Sequence, residues 1–180
     1  LLKTAKSKGI DETAVNYVEG EIEYSNGDYA SAQNTFQKCI DSSQDSYIQM
    51  RSYIMEAKCM DKQDGSIDGK LKKMELLKKA WEQLPKENNI GVLEELAQTY
   101  SNLGNETGEI NYYQQAISVF KQIQSQGMGN YSTSYNMSVL YQNMNDYDSA
   151  EKELMQILKN YGEDYKTYKS LAFLEVARQG

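Results

Sequence analysis

Apolar residues recur every three to four positions along most of this chain. In one stretch Val139, Leu140 and Met144 are followed, after a polar break, by Leu154 and Ile157. Such spacing places apolar side chains on one face of an α-helix. No segment shows a convincing alternation of apolar and polar residues, which a half-buried strand would require. The sequence therefore predicts an all-α chain whose helices are joined by polar turns.

A six-residue segment occurs twice with little change. Residues 27–32 read Gly-Asp-Tyr-Ala-Ser-Ala, and residues 145–150 read Asn-Asp-Tyr-Asp-Ser-Ala. Each copy has a turn-forming residue, an Asp-Tyr pair and a small residue three positions after the Tyr, which marks the joint of a helical hairpin. Asp28 and Asp146 would each precede a helix, where a carboxylate accepts hydrogen bonds from free N–H groups and contributes about 0.5 to 2 kcal/mol. The second copy predicts a repeat.

The repeat has a period of 34 residues where its copies are clearest. Ala116 and Ala150 are 34 residues apart, and so are Phe120 and Leu154. Ala32 and Ala150 are 118 residues apart, which is 16 more than three periods. We expect all the extra residues between helices, with the two largest insertions, of 4 and 7 residues, in turns around 65–69 and 104–108. Extra residues in turns are tolerated because the cost of closing a loop rises slowly with its length.

These residues resemble the tetratricopeptide pattern. That pattern is a 34-residue hairpin with W-x2-L-G-x2-Y on its first helix and A-x3-F on its second. Here Met137-Ser138 and Tyr141 take the Leu-Gly and Tyr places, and Ala150 and Leu154 take the Ala and Phe places. The chain is thus similar to the tetratricopeptide repeat (TPR) family. The resemblance implies an all-α, right-handed α-solenoid of antiparallel helical hairpins, with about four repeats plus flanking half-repeats.

Small residues on the first helices are expected to pack against large residues on the second helices. The small residues are Gly20, Ala57, Ala97, Ser138 and Ala172, and the large residues are Phe36, Leu77, Phe120 and Leu154. Lys73 stands where a small alanine is expected. We divide the single array 1–180 into the tail of a preceding helix (1–10), four repeats (11–44, 45–86, 87–127 and 128–162) and the first helix of a further repeat (163–180).

Composition excludes several classes of function. The formal net charge is -7, and no run of Lys and Arg exceeds two residues. Such a chain is not expected to bind nucleic acid. No apolar segment approaches the roughly 20 residues of a membrane-spanning helix. We therefore predict protein or peptide partners, no nucleic acid, and no membrane insertion by this segment.

The residues of common catalytic sites are missing. The chain contains no histidine, which removes the commonest general base and the commonest metal ligand. No Ser or Cys stands in a nucleophile motif, so we predict neither an enzyme nor a cofactor. Cys39 and Cys59 lie at apolar helix positions without metal-ligand spacing. Buried free thiols are expected there, and they favour a reducing compartment such as the cytoplasm.

The segment 64–75 matches the calcium-binding loop of an EF-hand. Asp64, Ser66 and Asp68 supply oxygen atoms at loop places 1, 3 and 5, a glycine follows at place 6, and Glu75 stands at place 12. Three lysines within the same segment oppose a cation site. The alternative is a capped polar turn followed by an ordinary helix, and the sequence favours this alternative.

The resemblance also implies a concave groove lined by first-helix residues that point away from the second helices. The positions expected to line it are Tyr17, Glu21, Tyr24, Arg51, Ile54, Lys58, Lys62, Gln98, Tyr135 and Gln142, with Glu94, Ser101 and Val139 beside them. Arg51, Lys58 and Lys62 would form a basic strip able to hold an acidic group of a bound peptide.

We therefore predict a non-catalytic protein-protein interaction module that binds a peptide or a helix of a partner in its concave groove. Two alternatives stay open. The array could be a regulatory or scaffold segment of a larger signalling protein, for example a protein kinase, or of a secretion-assembly protein. It could also respond to calcium through 64–75.

Overall fold

The computed structural model describes residues 1–7, 9 and 11–180. In this part of the chain every regular element is helical, with a single 3-10 turn at Lys86–Asn88. The expected tail 1–10 contains α1, whereas Lys8 and Ile10 lie outside the described residues. The α-helices are α1 (Leu2–Ser7), α2 (Glu12–Ser25), α3 (Tyr29–Ser42), α4 (Ser46–Gln63), α5 (Ile67–Gln83), α6 (Ile90–Thr107), α7 (Ile110–Ser125), α8 (Tyr131–Asn143), α9 (Tyr147–Tyr161) and α10 (Tyr165–Gln179).

The chain divides into two compact units, unit 1 (1–99) and unit 2 (100–180). In unit 1 α1 packs against α2, α2 against α3, α3 against α4 and α4 against α5. In unit 2 α7 packs against α8, α8 against α9 and α9 against α10. No helix in either unit buries its apolar face alone, which is the arrangement expected of stacked hairpins. The predicted fold class, an all-α fold of helical hairpins of the tetratricopeptide type, is confirmed.

The two copies of the repeated segment share a turn conformation. Gly27 and Asn145 both have positive φ, at 85° and 60°, which glycine and asparagine tolerate better than other residues. Asp146 caps α9 by accepting a hydrogen bond from the Ser149 N–H at 3.1 Å, as predicted. The cap predicted at Asp28 is wrong, because this exposed side chain makes no hydrogen bond to the start of α3.

Close contacts between glycines and large side chains bring the helices together. A Cβ atom at Gly20 would lie 2.7 Å from Cε1 of Phe36, whose side chain is fully buried. At Gly104 it would lie 2.6 Å from the Tyr113 ring. Both distances are too short for a carbon atom, so only glycine permits these approaches. The predicted packing of small against large residues is confirmed at Gly20 and Phe36.

The prediction that every insertion lies between helices is wrong. The turn before α5 is Asp64–Ser66, which has the same number of residues as Asn26–Asp28 before α3. At the two largest predicted insertions the extra residues instead lengthen helices, since α4 and α6 have 18 residues each whereas α2 has 14. A longer helix satisfies its own backbone hydrogen bonds, and the added part of α6 buries Leu103 completely.

Lys73 is buried in the position where a small residue was expected. Its side chain is 7% exposed, and its ammonium lies 2.5 Å from Asp61 Oδ2 and 3.7 Å from Glu95 Oε2. A buried charge is tolerated when it is paired. The two carboxylates come from α4 and from the first half of α6, so this one side chain on α5 joins three helical segments within unit 1.

Both cysteines are free thiols in the core of unit 1, as predicted. Neither has measurable exposure to solvent. Burial raises the pKa of the Cys59 thiol to about 11 and also raises the pKa of Cys39. Both groups are therefore protonated and unreactive at neutral pH.

Candidate functional site

The outward-facing residues of the first helices are the candidate site in each unit. They belong to α2, α4 and the part of α6 up to Thr99 in unit 1, and to α8 and α10 in unit 2, and we call them the first-helix surface. A simple register identifies one row of this surface, because each small residue on a first helix is followed directly by an outward residue. This row consists of Glu21, Lys58 and Gln98 in unit 1 and of Val139 and Phe173 in unit 2.

A hydrogen bond joins two of the predicted residues of unit 1. Arg51 Nε on α4 donates to Tyr17 Oη on α2, over 3.3 Å. The Tyr17 ring also packs on Phe36 in a tilted arrangement with 5.6 Å between ring centroids. Burial raises the pKa of Tyr17, and the hydrogen bond from Arg51 opposes this shift. Tyr17 therefore links the surface to the core beneath it and holds the guanidinium in place.

The predicted basic strip continues from Arg51 to Lys58 and Lys62. The side chains of Lys58 and Lys62 are exposed. Among the described residues neither ammonium lies within ion-pair distance of a carboxylate. The hydrogen bond with Tyr17 raises the pKa of Arg51, and the charge of the half-buried Glu21 adds to this shift. Gln98 is exposed on α6.

Two predicted residues of unit 1 contribute more to packing than to the surface. Ile54 is buried, because Gly91 on α6 leaves space into which it packs; a Cβ at Gly91 would lie 2.8 Å from Ile54 Cδ1. Its prediction as a groove residue is corrected on this ground. Tyr24 is half-buried and meets Tyr29 edge to face, with ring centroids 5.2 Å apart.

In unit 2 the predicted Tyr135 is part of an aromatic stack. Its ring lies parallel to that of Tyr131, with 6.2 Å between centroids and 7° between planes. Lys166 Nζ lies 3.7 Å from the centroid of the Tyr135 ring, in the range of a cation-π contact. Gln142, also predicted, is half-buried two turns further along α8.

The α10 part of the surface in unit 2 was not among the predicted positions. Phe173 and Val176 are 60% and 70% exposed on α10. They lie 34 residues after Val139 and Gln142, so the period of the repeat assigns them to the same positions. Applying the period to outward residues, and not only to packed ones, would have identified them.

A buried glutamate was also missed. Glu56 on α4 is 5% exposed, and its Oε2 has no hydrogen-bond partner in the described part of the chain. Its Oε1 accepts a long hydrogen bond, 3.5 Å, from Gln33 Nε2. Burial raises the pKa of Glu56, while Gln33 and the charge of Lys79 lower it. Nothing in the apolar pattern distinguishes this position from an exposed one.

Replacing Glu56 with glutamine is expected to stabilise the chain at pH 7 by about 1 kcal/mol, the low end of the cost of a buried polar atom without a partner. Because the folded state raises the pKa of Glu56 above its ordinary value of 4.5, this group favours folding below that pH. The contribution is lost as the pH rises through the folded-state pKa. In urea unfolding, the gain in the free energy of unfolding on Glu56→Gln should therefore be larger at pH 7 than at pH 4.

Glu82→Gln is the control, because it makes the same change from carboxylate to amide at an exposed position of α5. An advantage of Glu56→Gln that is equal at both pH values would contradict the assignment of a buried, titrating carboxyl group.

The segment 64–75 forms a capped turn and the start of a helix. Asp64 Oδ1 accepts from the Ser66 N–H at 3.0 Å, and hydrogen bonding with Ser66 lowers the pKa of Asp64. Asp68 forms an ion pair with Lys72 at 3.0 Å. In the described ranges no three His, Cys, Asp or Glu side chains are grouped so as to hold a metal ion. The geometry gives the calcium hypothesis no support.

Profiles of one family match the chain in three places. Tetratricopeptide repeat profiles match residues 13–46 and 90–122, and a further one matches residues 112–172. The matches include the first, third and fourth predicted repeats, whereas residues 47–89 lie outside them. No curated protein sequence matches the chain at a significant level.

Several solved structures have a similar fold. MamA MSR-1 has a TM-score of 0.62 at 16% sequence identity, with 93% of this chain and 87% of that chain covered. MamA AMB-1 gives 0.64 at 16% identity, covering 93% and 82%. BtubC (BKLC) from P. vanneervenii gives 0.59 at 17% identity, covering 99% and 80%. At these identities the likeness concerns the fold alone.

Repeats of this type form protein-protein interaction modules, and such modules are typically non-catalytic. Of the helices in the described part of the chain, none combines the length and apolar character needed to cross a membrane. The profile matches, the helical hairpins and the contacts between glycines and large side chains agree with one another. The chain belongs to the tetratricopeptide repeat family.

Proposed function

We propose that the chain is a non-catalytic interaction module that binds a peptide or a helix of a partner protein on its first-helix surface. One observation carries the proposal for unit 1. Tyr17 and Arg51 are held together by a hydrogen bond, while Lys58 and Lys62 on the same helix as Arg51 stay exposed. The surface thus offers a fixed guanidinium and two ammonium groups to one ligand.

Charge distribution supports an acidic ligand for this part of the surface. Arg51, Lys58 and Lys62 are separated by seven and four residues, so they share one side of α4. Guanidinium and ammonium groups bind carboxylates through charge-assisted hydrogen bonds, which are stronger than neutral ones. The chain as a whole is acidic, with a net charge of -7, so the charge of this strip is opposite in sign to the net charge of the chain.

The test is to select binders from a displayed library of random 12-residue peptides with the whole chain. We expect enrichment of Asp and Glu. For a selected peptide, the double variant Lys58→Ala, Lys62→Ala should lower affinity about tenfold, or roughly 1.4 kcal/mol. Fluorescence anisotropy of the labelled peptide measures the change.

Lys86→Ala provides the control, because Lys86 is exposed in the 3-10 turn and lies on no first helix. The proposal fails if the selected peptides bind the double variant as tightly as the unchanged chain. It also fails if Lys86→Ala weakens binding to the same degree.

The alternative role, as a regulatory or scaffold segment of a larger signalling or secretion-assembly protein, stays a prediction. No contact among the described residues favours it over the first proposal. The sequence of the neighbouring regions in the full-length protein would test it directly.

A further inference from the structure

On the first-helix surface of unit 2 the charged residues lie on α10 and not on α8. From Tyr131 to Asn143, α8 contains no charged residue. On α10 the outward residues include Phe173 and Val176, which are among the most exposed apolar side chains of the unit. Val139 on α8 is also exposed. Exposed large apolar side chains that lie together mark sites of interaction.

Two lysines on this surface, Lys166 and Lys169, are available to a partner. Arg178 on α10 is occupied, since it forms ion pairs with Asp148 and Glu151 of α9, at 2.8 and 2.7 Å. By contrast, Lys166 and Lys169 are exposed and have no carboxylate within ion-pair distance in the described part of unit 2. Neither ammonium group is therefore held in an ion pair in this part of the unit.

The contact between Lys166 and Tyr135 fixes how the charge and the apolar residues are arranged. Lys166 Nζ lies over the Tyr135 ring, so this side of α10 faces α8. Phe173 comes seven residues after Lys166, two turns along the same side of the helix. Val139 comes four residues after Tyr135, one turn along α8. On both helices the apolar side chain thus follows the cation-π pair toward the C-terminal end.

We propose that this surface binds an amphipathic helix of a partner protein that carries one acidic side chain and a neighbouring apolar stripe. The acid contacts Lys166 and Lys169, and the apolar residues contact Val139 and Phe173. At 1.5 Å per helical residue, four to seven residues separate the two groups by roughly 6 to 10 Å along the ligand. The inference rests on the proposed function, since it names the partner of the same first-helix surface.

A helix fits this surface better than an extended peptide. Successive side chains of an extended peptide point to opposite faces, whereas a helix presents residues i, i+4 and i+7 on one face. Val139 and Phe173 lie one and two turns beyond the cation-π pair, which matches that helical spacing. Because the Tyr135 ring attracts the ammonium of Lys166, the cation is restrained before a ligand arrives, and less side-chain entropy is lost on binding.

The probe is a 15-residue helix-forming peptide with Glu at its centre and Leu four and seven residues to either side, so that either direction of binding is allowed. A second peptide has Lys in place of Glu, and a third has Ala in place of every Leu. Fluorescence anisotropy with the whole chain measures affinity. We expect the Glu peptide to bind at least tenfold more tightly than the other two.

Substitutions on the chain locate the contacts. Lys166→Gln and Phe173→Ser are each expected to weaken binding of the Glu peptide about tenfold. The matched controls on α9 are Lys152→Gln and Met155→Ser, which change an exposed lysine and an exposed apolar residue of the same unit. They are expected to leave the affinity unchanged. Circular dichroism verifies that each variant is folded.

Three results would overturn the inference: equal affinity for the Glu and Lys peptides, no binding of any peptide, or unchanged binding by Phe173→Ser. Sedimentation equilibrium adds a fourth, a dimer that Phe173→Ser converts to monomer, because a second copy would then occupy the surface. None of these outcomes touches the proposed function of unit 1, which is judged separately by the Lys58 and Lys62 variants.

Discussion

Replacing Gly69 with alanine is expected to destabilise the folded chain by about 3 kcal/mol, the upper end of the cost of overpacking. Gly69 lies in the first turn of α5, and a Cβ there would collide with the backbone carbonyl of Asp64 and with its side chain. A backbone atom cannot move aside as a flexible side chain can. The collision should therefore outweigh the gain of about 1 kcal/mol that alanine brings to a helix.

Urea unfolding followed by Trp81 fluorescence measures this effect. Trp81 is the single tryptophan of the chain and lies on α5 with Gly69. Gly65→Ala is the matched control, because a Cβ at Gly65 meets no atom within 4 Å. Similar losses of stability in the two variants would show that the turn responds to backbone flexibility and not to the contact with Asp64.

Replacing Lys73 with alanine is expected to cost about 2 to 3 kcal/mol. Removing one partner of a fully buried ion pair costs about 3 to 5 kcal/mol. Here the carboxylates left behind are partly solvated, since the side chains of Asp61 and Glu95 are 44% and 31% exposed. The loss should therefore fall below that range, although the apolar stem of the lysine is lost as well.

The neighbouring Lys72 provides a matched control. Its ion pair with Asp68 is 3.0 Å long, but the two side chains are 66% and 73% exposed, so Lys72→Ala should lower stability far less than Lys73→Ala does. Lys73→Met keeps most of the stem and removes the charge, and its stability should lie between those of the two alanine variants. Equal losses for Lys72→Ala and Lys73→Ala, in the same urea unfolding experiment, would rule out the structural role of the buried pair.

The hairpins could be predicted from the sequence because their packing is local and periodic. A small residue facing a large one recurs at the helical contacts, as Gly20 and Phe36 show, and the turn segments contain residues that tolerate positive φ. These signals depend on residue size and on backbone conformation alone. They do not require knowledge of any contact between distant parts of the chain.

The positions of the inserted residues could not be predicted in the same way. The glycines at 69 and 104 indicated turns, because glycine is common in loops. In the structure both glycines lie within helices, at close approaches to Asp64 and Tyr113. The sequence does not show whether a glycine is required by a turn or by the close approach of another atom. Only the positions of the neighbouring helices distinguish the two cases.

Only part of the candidate site could be predicted from the sequence, for a related reason. The period identifies which residues share a position, but it does not give their exposure. Ile54 and Tyr17 both belong to first helices, yet Ile54 is covered because Gly91 on the next helix has no side chain. Glu56 was missed because a polar residue in an amphipathic helix is expected at the surface.

The row of outward residues that follows the small residues has a consequence for how such a chain can evolve. Gly20, Ala97 and Ser138 are confined to small side chains by the helices that press on them. The residue immediately after each one meets solvent, and its side chain is acidic, amide or aliphatic in turn. Mutation at these positions can replace the chemistry of recognition one helix at a time, while the neighbouring position continues to determine the fold.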